Sequence, residues 1–225
     1  MGATRQSRAN HKAPSSRRRR AAAPIVVSSG HKRKFRDRLL KWYAHHGRDL
    51  PWRQTAEPYK ILVSEIMLQQ TQVDRVLPKY QEWLAKYPTM EDLAGASLSE
   101  VKKSWYPLGY NIRPVRLHSI ARESVARYAG TLPKDPERLL AFKGIGRYTA
   151  GAIRAFAFRE DAPILDTNVM RVLHRVFVGK GDAKRQKTLL WALSEAMPLF
   201  SISLRRYSKA LTPTLIFRSI LSAFS

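Results

Sequence analysis

Cysteine is absent from all 225 residues of the chain. Disulfides are therefore excluded, and so is any metal or cluster held by thiolates. Long apolar runs are missing too: no uninterrupted stretch approaches the roughly 20 residues that a helical membrane span requires. The chain therefore reads as soluble. Acidic residues are scarce, 17 against 41 lysines and arginines, and the first of them is Asp37. Residues 1–36 hold 11 basic side chains and no acid, and the remainder still carries 30 basic and 17 acidic residues, a net of +13. The whole-chain charge of +24 opposes self-association and attracts polyanions. A monomer is expected, with nucleic acid as its first candidate partner and an anionic membrane surface as the second. Because the globular part is basic without its tail, a charged face is expected as well as a charged arm.

The hydrophobic fraction of 44% is ordinary for a globular protein. Residues 1–30 lack hydrophobic periodicity and are expected to form a disordered basic tail. The arginine block at 17–20 fits a DNA-contacting arm, an organellar targeting segment or a merely solvated tail. Beyond it the pattern is helical, with helices expected at 33–46, 58–72, 74–87, 89–95, 97–105, 113–128, 135–142, 147–158, 167–178 and 184–197. Capping-box spacing recurs at Thr89 with Asp92 and at Ser97 with Glu100, and Asp135-Pro136-Glu137 places cap, proline and acid in order. The fold class is all-α. Residues 199–225 are atypical, with no acid and no clear amphipathic period.

Three segments carry chemistry. In 139–158, LLAFKGIGRYTAGAIRAFAF, one helix ends, Gly144-Ile145-Gly146 turns tightly, and another helix begins near Arg147. Glycines suit a turn with unusual backbone angles, and turn amides at a helix N-terminus suit a phosphate. Ile145 is expected to plug the hairpin, and basic Lys143 and Arg147 flank it. A lone GxG between helices is more often just a loop.

In 61–73, ILVSEIMLQQTQV, Glu65 is the only charged residue. Its helical neighbours Ile61, Leu62, Leu68 and Gln69 give it a largely apolar face. Desolvation there favours a protonated carboxyl, the form a general acid requires. Spacing alone favours the plainer reading, a glutamate paired with a distant Lys or Arg.

In 163–173, PILDTNVMRVL, Asp166 reads as the N-cap of the following helix. A capped carboxylate is favoured in its ionised form, which is also what would stabilise a cationic sugar. Gly47-Arg48-Asp49-Leu50-Pro51-Trp52-Arg53 and the aromatic loop WYPLGYNIR at 105–113 complete the set. Hydrophobic packing is the plainer reading of that loop. The pair His45-His46 does not face one site on a helix, so a metal centre there is not expected.

The strings S-E-I-M-L-Q-Q-T-Q-V, K-G-I-G-R-Y-T-A-G-A and L-D-T-N-V-M-R-V, in this order, resemble the helix-hairpin-helix DNA glycosylases, and among them the adenine-excising MutY type. The resemblance covers about residues 35–197. It implies two helical lobes, one of 51–161 and one combining 31–50 with 162–225, with the active site in the cleft between them. It implies catalytic roles for Glu65 and Asp166, with Asn168 as the aspartate's support. Gln70 and Tyr110 take the places of residues that enter the base stack, although Asn111 stands where the family often has a second tyrosine. Arg48, Leu50, Trp52, Leu68 and Val73 match the base pocket, and Lys143, Gly144, Gly146 and Arg147 match the DNA-binding hairpin.

Tyr148 stands where lyase-competent relatives have a lysine nucleophile, which implies a monofunctional enzyme. The substrate implied is adenine opposite 8-oxoguanine or guanine in duplex DNA, and the process base excision repair. Thymine-excising T:G glycosylases also place tyrosine there and form the alternative. The family normally carries a [4Fe-4S] cluster on four cysteines, whereas no cofactor is expected in this chain. It is therefore expected to be truncated before the cluster motif, with Leu189, Leu190 and Leu193 poorly covered. A catalytically weak DNA-binding remnant is then a third reading. The compartment implied is the bacterial cytoplasm or nucleoid, or a eukaryotic organelle or nucleus.

Overall fold

The computed structural model describes residues 27–196; the arginine block at 17–20 and the atypical stretch 199–225 lie outside the described residues. Ser28 accepts a hydrogen bond from the His31 amide and starts α1, Ser29–His46, so the first helix begins inside the expected tail. A 3₁₀ turn, Pro51–Arg53, leads to α2, Pro58–Met67, and α3, Val73–Lys86. Then come α4, Met90–Gly95; α5, Leu98–Trp105; α6, Ile112–Tyr128; and α7, Pro136–Ala141. The order ends with α8, Arg147–Phe156; α9, Thr167–Leu173, running into a π-helical turn, His174–Val178; and α10, Lys187–Ala196. No strand occurs among the described residues.

The local signals explain most boundaries. Thr89 and Asp92 form the reciprocal capping box, and Asp135 accepts from the Arg138 amide at 2.8 Å with Pro136 in the first turn. Ser97 accepts from the Glu100 amide at 3.2 Å, while the Glu100 carboxylate lies 2.8 Å from Lys86. The helix expected at 58–72 stops at Met67, five residues early. Gln70 adopts a left-handed backbone with φ of 55°, which an L-residue helix does not tolerate. The helix expected from 184 starts at Lys187.

One continuous core joins α2 through α9 and receives Leu190, Trp191 and Leu193 of α10. This corrects the expectation of poorly covered leucines for two of the three: Leu190 and Leu193 are buried where α10 packs on α9, while Leu189 is half-buried. A smaller cluster sets Leu39 and Tyr43 of α1 against Val172 of α9, with Phe35 edge-on to Phe177 at 5.2 Å. Trp83 organises the α3–α5 side. It meets Trp105 edge-on at 5.4 Å and donates to the Tyr59 hydroxyl, which donates in turn to the Tyr87 carbonyl.

Helix α8 contacts α2 and also approaches the segment that leads into α9. Gly151 permits that approach: a Cβ built there would lie 2.2 Å from the Pro163 carbonyl oxygen. A backbone oxygen cannot rotate aside as a side chain can. Gly151→Ala is therefore expected to lower stability by about 1–3 kcal/mol through overpacking, read as a lower Tm in thermal denaturation. An unchanged Tm would show that 163–166 yields freely.

Burial also fixes an alkaline limit. It pushes the Tyr43 hydroxyl up to about 12, with the Arg53 charge pulling the other way, and it raises Tyr59 and Tyr80 too. Each folded pKa lies above the ordinary value near 10, so the unfolded chain deprotonates first. The stabilisation is whole below pH ~10 and declines as pH rises toward about 12. Urea midpoints measured from pH 8 upward should stay level and then fall from pH ~10. Tyr43→Phe should flatten part of that decline.

Candidate active site and nucleic-acid interface

Glu65 is the third residue from the end of α2, within a run of eight consecutive buried residues, 61–68. Only 2% of Glu65 is exposed, beside Ile61, Leu62 and Leu68, while Gln69 is half-buried. Gln70 is the first exposed residue after this run. The apolar face read from the spacing is thus present.

Asp166 is the N-cap of α9, as the spacing suggested. Its Oδ1 accepts from the Asn168 amide at 2.9 Å and the Val169 amide at 2.6 Å. The Asn168 side-chain amide donates to Oδ2 at 3.4 Å, so Asn168 does meet the aspartate. Asp166 is half-buried. Helix α8 lies against both neighbourhoods: it packs on α2, and its Gly151 packs on the 163–164 backbone just before Asp166.

The turn at 142–147 is a true helix–turn–helix connection. The Ile145 amide donates to the Phe142 carbonyl, and Ile145 itself is buried as the plug. Gly144 has φ of +116° and sits over the Arg116 stem of α6, so glycine is required there. Gly146 differs from the sequence expectation of unusual angles. Its φ is −96° and a Cβ would meet nothing within 4 Å. Its place as the N-cap of α8, rather than strain, distinguishes it. Lys143 is exposed. Arg147 is exposed but engaged: its guanidinium stacks 4.2 Å from the Trp191 ring centre and lies 3.1 Å from Glu195. Tyr148 is half-buried against the core.

The remaining residues divide. Leu50, Trp52 and Leu68 are buried together in the main core, with Trp52 edge-on to Tyr80 at 5.1 Å, and Val73 packs partly against them. Arg48 is exposed, its guanidinium 3.9 Å from Asp74, and its carbonyl accepts from Arg53. Tyr110 is 59% exposed, with Tyr106 and Ile112 also protruding from the same loop. Like Gln70, Tyr110 has a positive φ, 49°. Asn111 precedes α6 as its N-cap without a side-chain capping bond. His46 stacks on Trp42 at 4.6 Å and bonds its carbonyl, a local helix-end arrangement.

Arg113 escaped the sequence reading. It is buried in the first turn of α6 and bonds the carbonyls of Ile66, Met67 and Gln69, the Thr71 hydroxyl, and the carbonyls of Leu108 and Gly109. Its guanidinium also lies 5.2 Å from both the Trp105 and Tyr110 rings. Burial pulls its pKa below the ordinary guanidinium value, a trend that Tyr110 opposes. The one available signal was an arginine closing the aromatic loop at 105–113 and opening a helix, whose N-terminus disfavours cations.

The residues do not fit an iron–sulfur cluster. The chain offers no thiolate, and no group of three or more metal-ligating side chains is gathered among the described residues. Among those residues no helix is long and apolar enough to cross a membrane.

Comparison with known proteins agrees with this geometry. Residues 63–195 match the family described as HhH-GPD superfamily base excision DNA repair protein. The chain is 45% identical over 146 residues to the adenine DNA glycosylase of Mycolicibacterium smegmatis, covering 64% of this chain and 50% of that one. It is 37% identical over 168 residues to the thymine/uracil-DNA glycosylase of Pyrobaculum aerophilum, covering 73% of each. A solved thermostable thymine-DNA glycosylase superposes with a TM-score of 0.69 at 30% identity, covering 80% of this chain and 87% of that one. The chain spans between 29% and 50% of the length of the adenine glycosylases it matches. With its helical fold, its hairpin at 142–147 and its buried Glu65, the chain belongs to the HhH-GPD superfamily of base excision DNA repair proteins.

Proposed function

We propose that this chain is a monofunctional DNA glycosylase that hydrolyses the N-glycosidic bond of adenine opposite 8-oxoguanine or guanine. The carrying observation is Glu65, a carboxyl buried in an apolar helix within the string S-E-I-M-L-Q-Q-T-Q-V. In this reading 51–161 and the combination of 31–50 with 162–225 are the two lobes, with a basic cleft between them. The chain acts as a monomer on a mispair-containing duplex, in whichever compartment holds that DNA.

The duplex is gripped through its phosphates, with Lys143 and the amides around Gly144 and Gly146 contributing at the hairpin. Arg147 joins them once a phosphate competes with exposed Glu195, a pair worth little in water. Gln70 and Tyr110 fill the stack while the adenine turns outward. Arg48, Leu50, Trp52, Leu68 and Val73 border its pocket. Glu65 delivers a proton to the purine N7, which makes the base a neutral leaving group. Asp166, oriented by Asn168 and the α9 amides, stabilises the oxocarbenium-like sugar until water adds. Tyr148 supplies no amine, so no Schiff base forms and the strand stays intact.

The thymine/uracil glycosylase relative, matched over 73% of both chains, supports a second reading, excision of thymine from T:G. Single-turnover assays on A:8-oxoguanine, T:G and undamaged duplexes separate the two. Adenine release supports the first reading and thymine release the second. Binding without release of either base overturns both in favour of a DNA-binding remnant.

A further inference from the structure

We propose that Arg113 is a clasp that holds the Gln70 turn and the Tyr110 loop as one probe, so that both side chains enter a duplex together. The inference rests on the proposed role of Gln70 and Tyr110 in the base stack. Three observations carry it.

The first is connectivity. One guanidinium Nη1 is shared among Ile66, Met67, Gln69 and Thr71 at 2.6–3.2 Å, while Nη2 holds Leu108 at 2.9 Å and Gly109 at 3.1 Å. The two segments are some 40 residues apart in the chain, and each is fixed beside its exposed residue. The second is strain. Gln70 and Tyr110 are both non-glycine residues with positive φ, a costly conformation that persists only where surroundings over-determine it. Arg113 supplies that determination on both sides, and its own amide donates to the Tyr110 carbonyl. Trp105 and Arg75 bond the same loop through Gly109 and Pro107.

The third is charge. No carboxylate pairs with Arg113 among the described residues; carbonyl dipoles and two aromatic faces meet its charge instead. Two of those carbonyls, Ile66 and Met67, belong to the last turn of α2, the negative end of the helix dipole. Shifting either segment alone would strip bonds from a buried cation, which is costly. The clasp therefore makes joint movement cheaper than separate movement, and it ties both to the end of the helix that carries Glu65. Arg113 is a positioning residue: it acts through Gln70 and Tyr110 rather than on the reacting atoms.

A double-mutant cycle tests this. Affinity is measured for a duplex carrying a stable abasic-site analogue opposite 8-oxoguanine, using the full chain, Gln70→Ala, Tyr110→Ala and the double variant. The same set is then made with Arg113→Lys. In the natural background each single substitution should weaken binding about fivefold or more, and the double should fall short of the product by about fivefold. With Arg113→Lys the effects should multiply to within about twofold. If neither single substitution weakens binding, the stacking role is wrong and the clasp falls with it. If both weaken binding but multiply simply in the natural background, or stay equally coupled with lysine at 113, the clasp alone is overturned. Should Arg113→Lys melt below the assay temperature, Thr71→Val removes one ligand and decides instead: reduced coupling supports the clasp, and unchanged coupling overturns it.

Discussion

Glu65→Gln is expected to slow single-turnover adenine release by about 10²–10⁴-fold, the range for loss of a general acid, while leaving affinity for the mispaired duplex largely intact. Glutamine keeps the volume and exchanges one carboxyl oxygen for an amide nitrogen, so it fits the same buried place in the 61–68 run. What it removes is the transferable proton. Adenine leaves poorly as an anion and well once N7 is protonated, so the whole effect should fall on the chemical step. The comparison therefore requires enzyme in excess, where product release cannot mask it. Binding is measured on the same variant with the abasic analogue. Full release by Glu65→Gln would refute the acid; loss of release together with loss of binding and a lowered Tm would make Glu65 structural.

That prediction stands on a residue whose environment was legible before any fold was known. A single charge in thirteen residues, flanked at three- and four-residue spacing by Ile61, Leu62 and Leu68, has to share an apolar face once the segment is helical. The Asp166 cap was legible for the same reason, since it is made with amides two and three residues away. So were Ile145 as the hairpin plug and the Thr89–Asp92 box. Each is a local relation, and local chemistry settles it.

What escaped was not local. Helix α2 was expected to reach residue 72 because its sequence remains compatible with a helix; it stops at Met67, with Gln70 left-handed and Arg113 bonded to the Ile66 and Met67 carbonyls across 47 and 46 positions of chain. The burial of Leu190 and Leu193 was missed for a related reason: helix patterning shows that a face is apolar, not which element covers it. Arg147 is a milder case. Its position beside the hairpin was read correctly, but the stacking on Trp191 and the pairing with Glu195 come from α10, more than forty residues on. Any measured phosphate contribution of Arg147 will include the cost of leaving those partners.

Asp166 carries the second large effect, because its structural and chemical roles can be separated by choice of replacement. As N-cap it needs one oxygen, Oδ1, which alone accepts both α9 amides. Asparagine supplies that oxygen and caps helices about as well as aspartate, so Asp166→Asn should leave Tm nearly unchanged. It deletes only the negative charge. Asn168 can meet the new side-chain amide by turning its own carbonyl toward it, since its amide now donates to Oδ2. If the carboxylate stabilises a cationic sugar, Asp166→Asn should slow adenine release by about 10²–10³-fold, the scale for losing one preorganised electrostatic group. Asp166→Ala removes cap and charge together, so it should show the same slow chemistry plus a stability loss of about 0.5–2 kcal/mol. Asp166→Ser restores the cap alone and should recover Tm without recovering rate. The alternative gives the opposite ranking: if Asp166 is only a cap, asparagine and serine both release adenine at nearly the natural rate, and only alanine is impaired, in step with its lowered Tm. Four melting curves and four single-turnover traces on A:8-oxoguanine therefore distinguish a catalytic carboxylate from a helix cap.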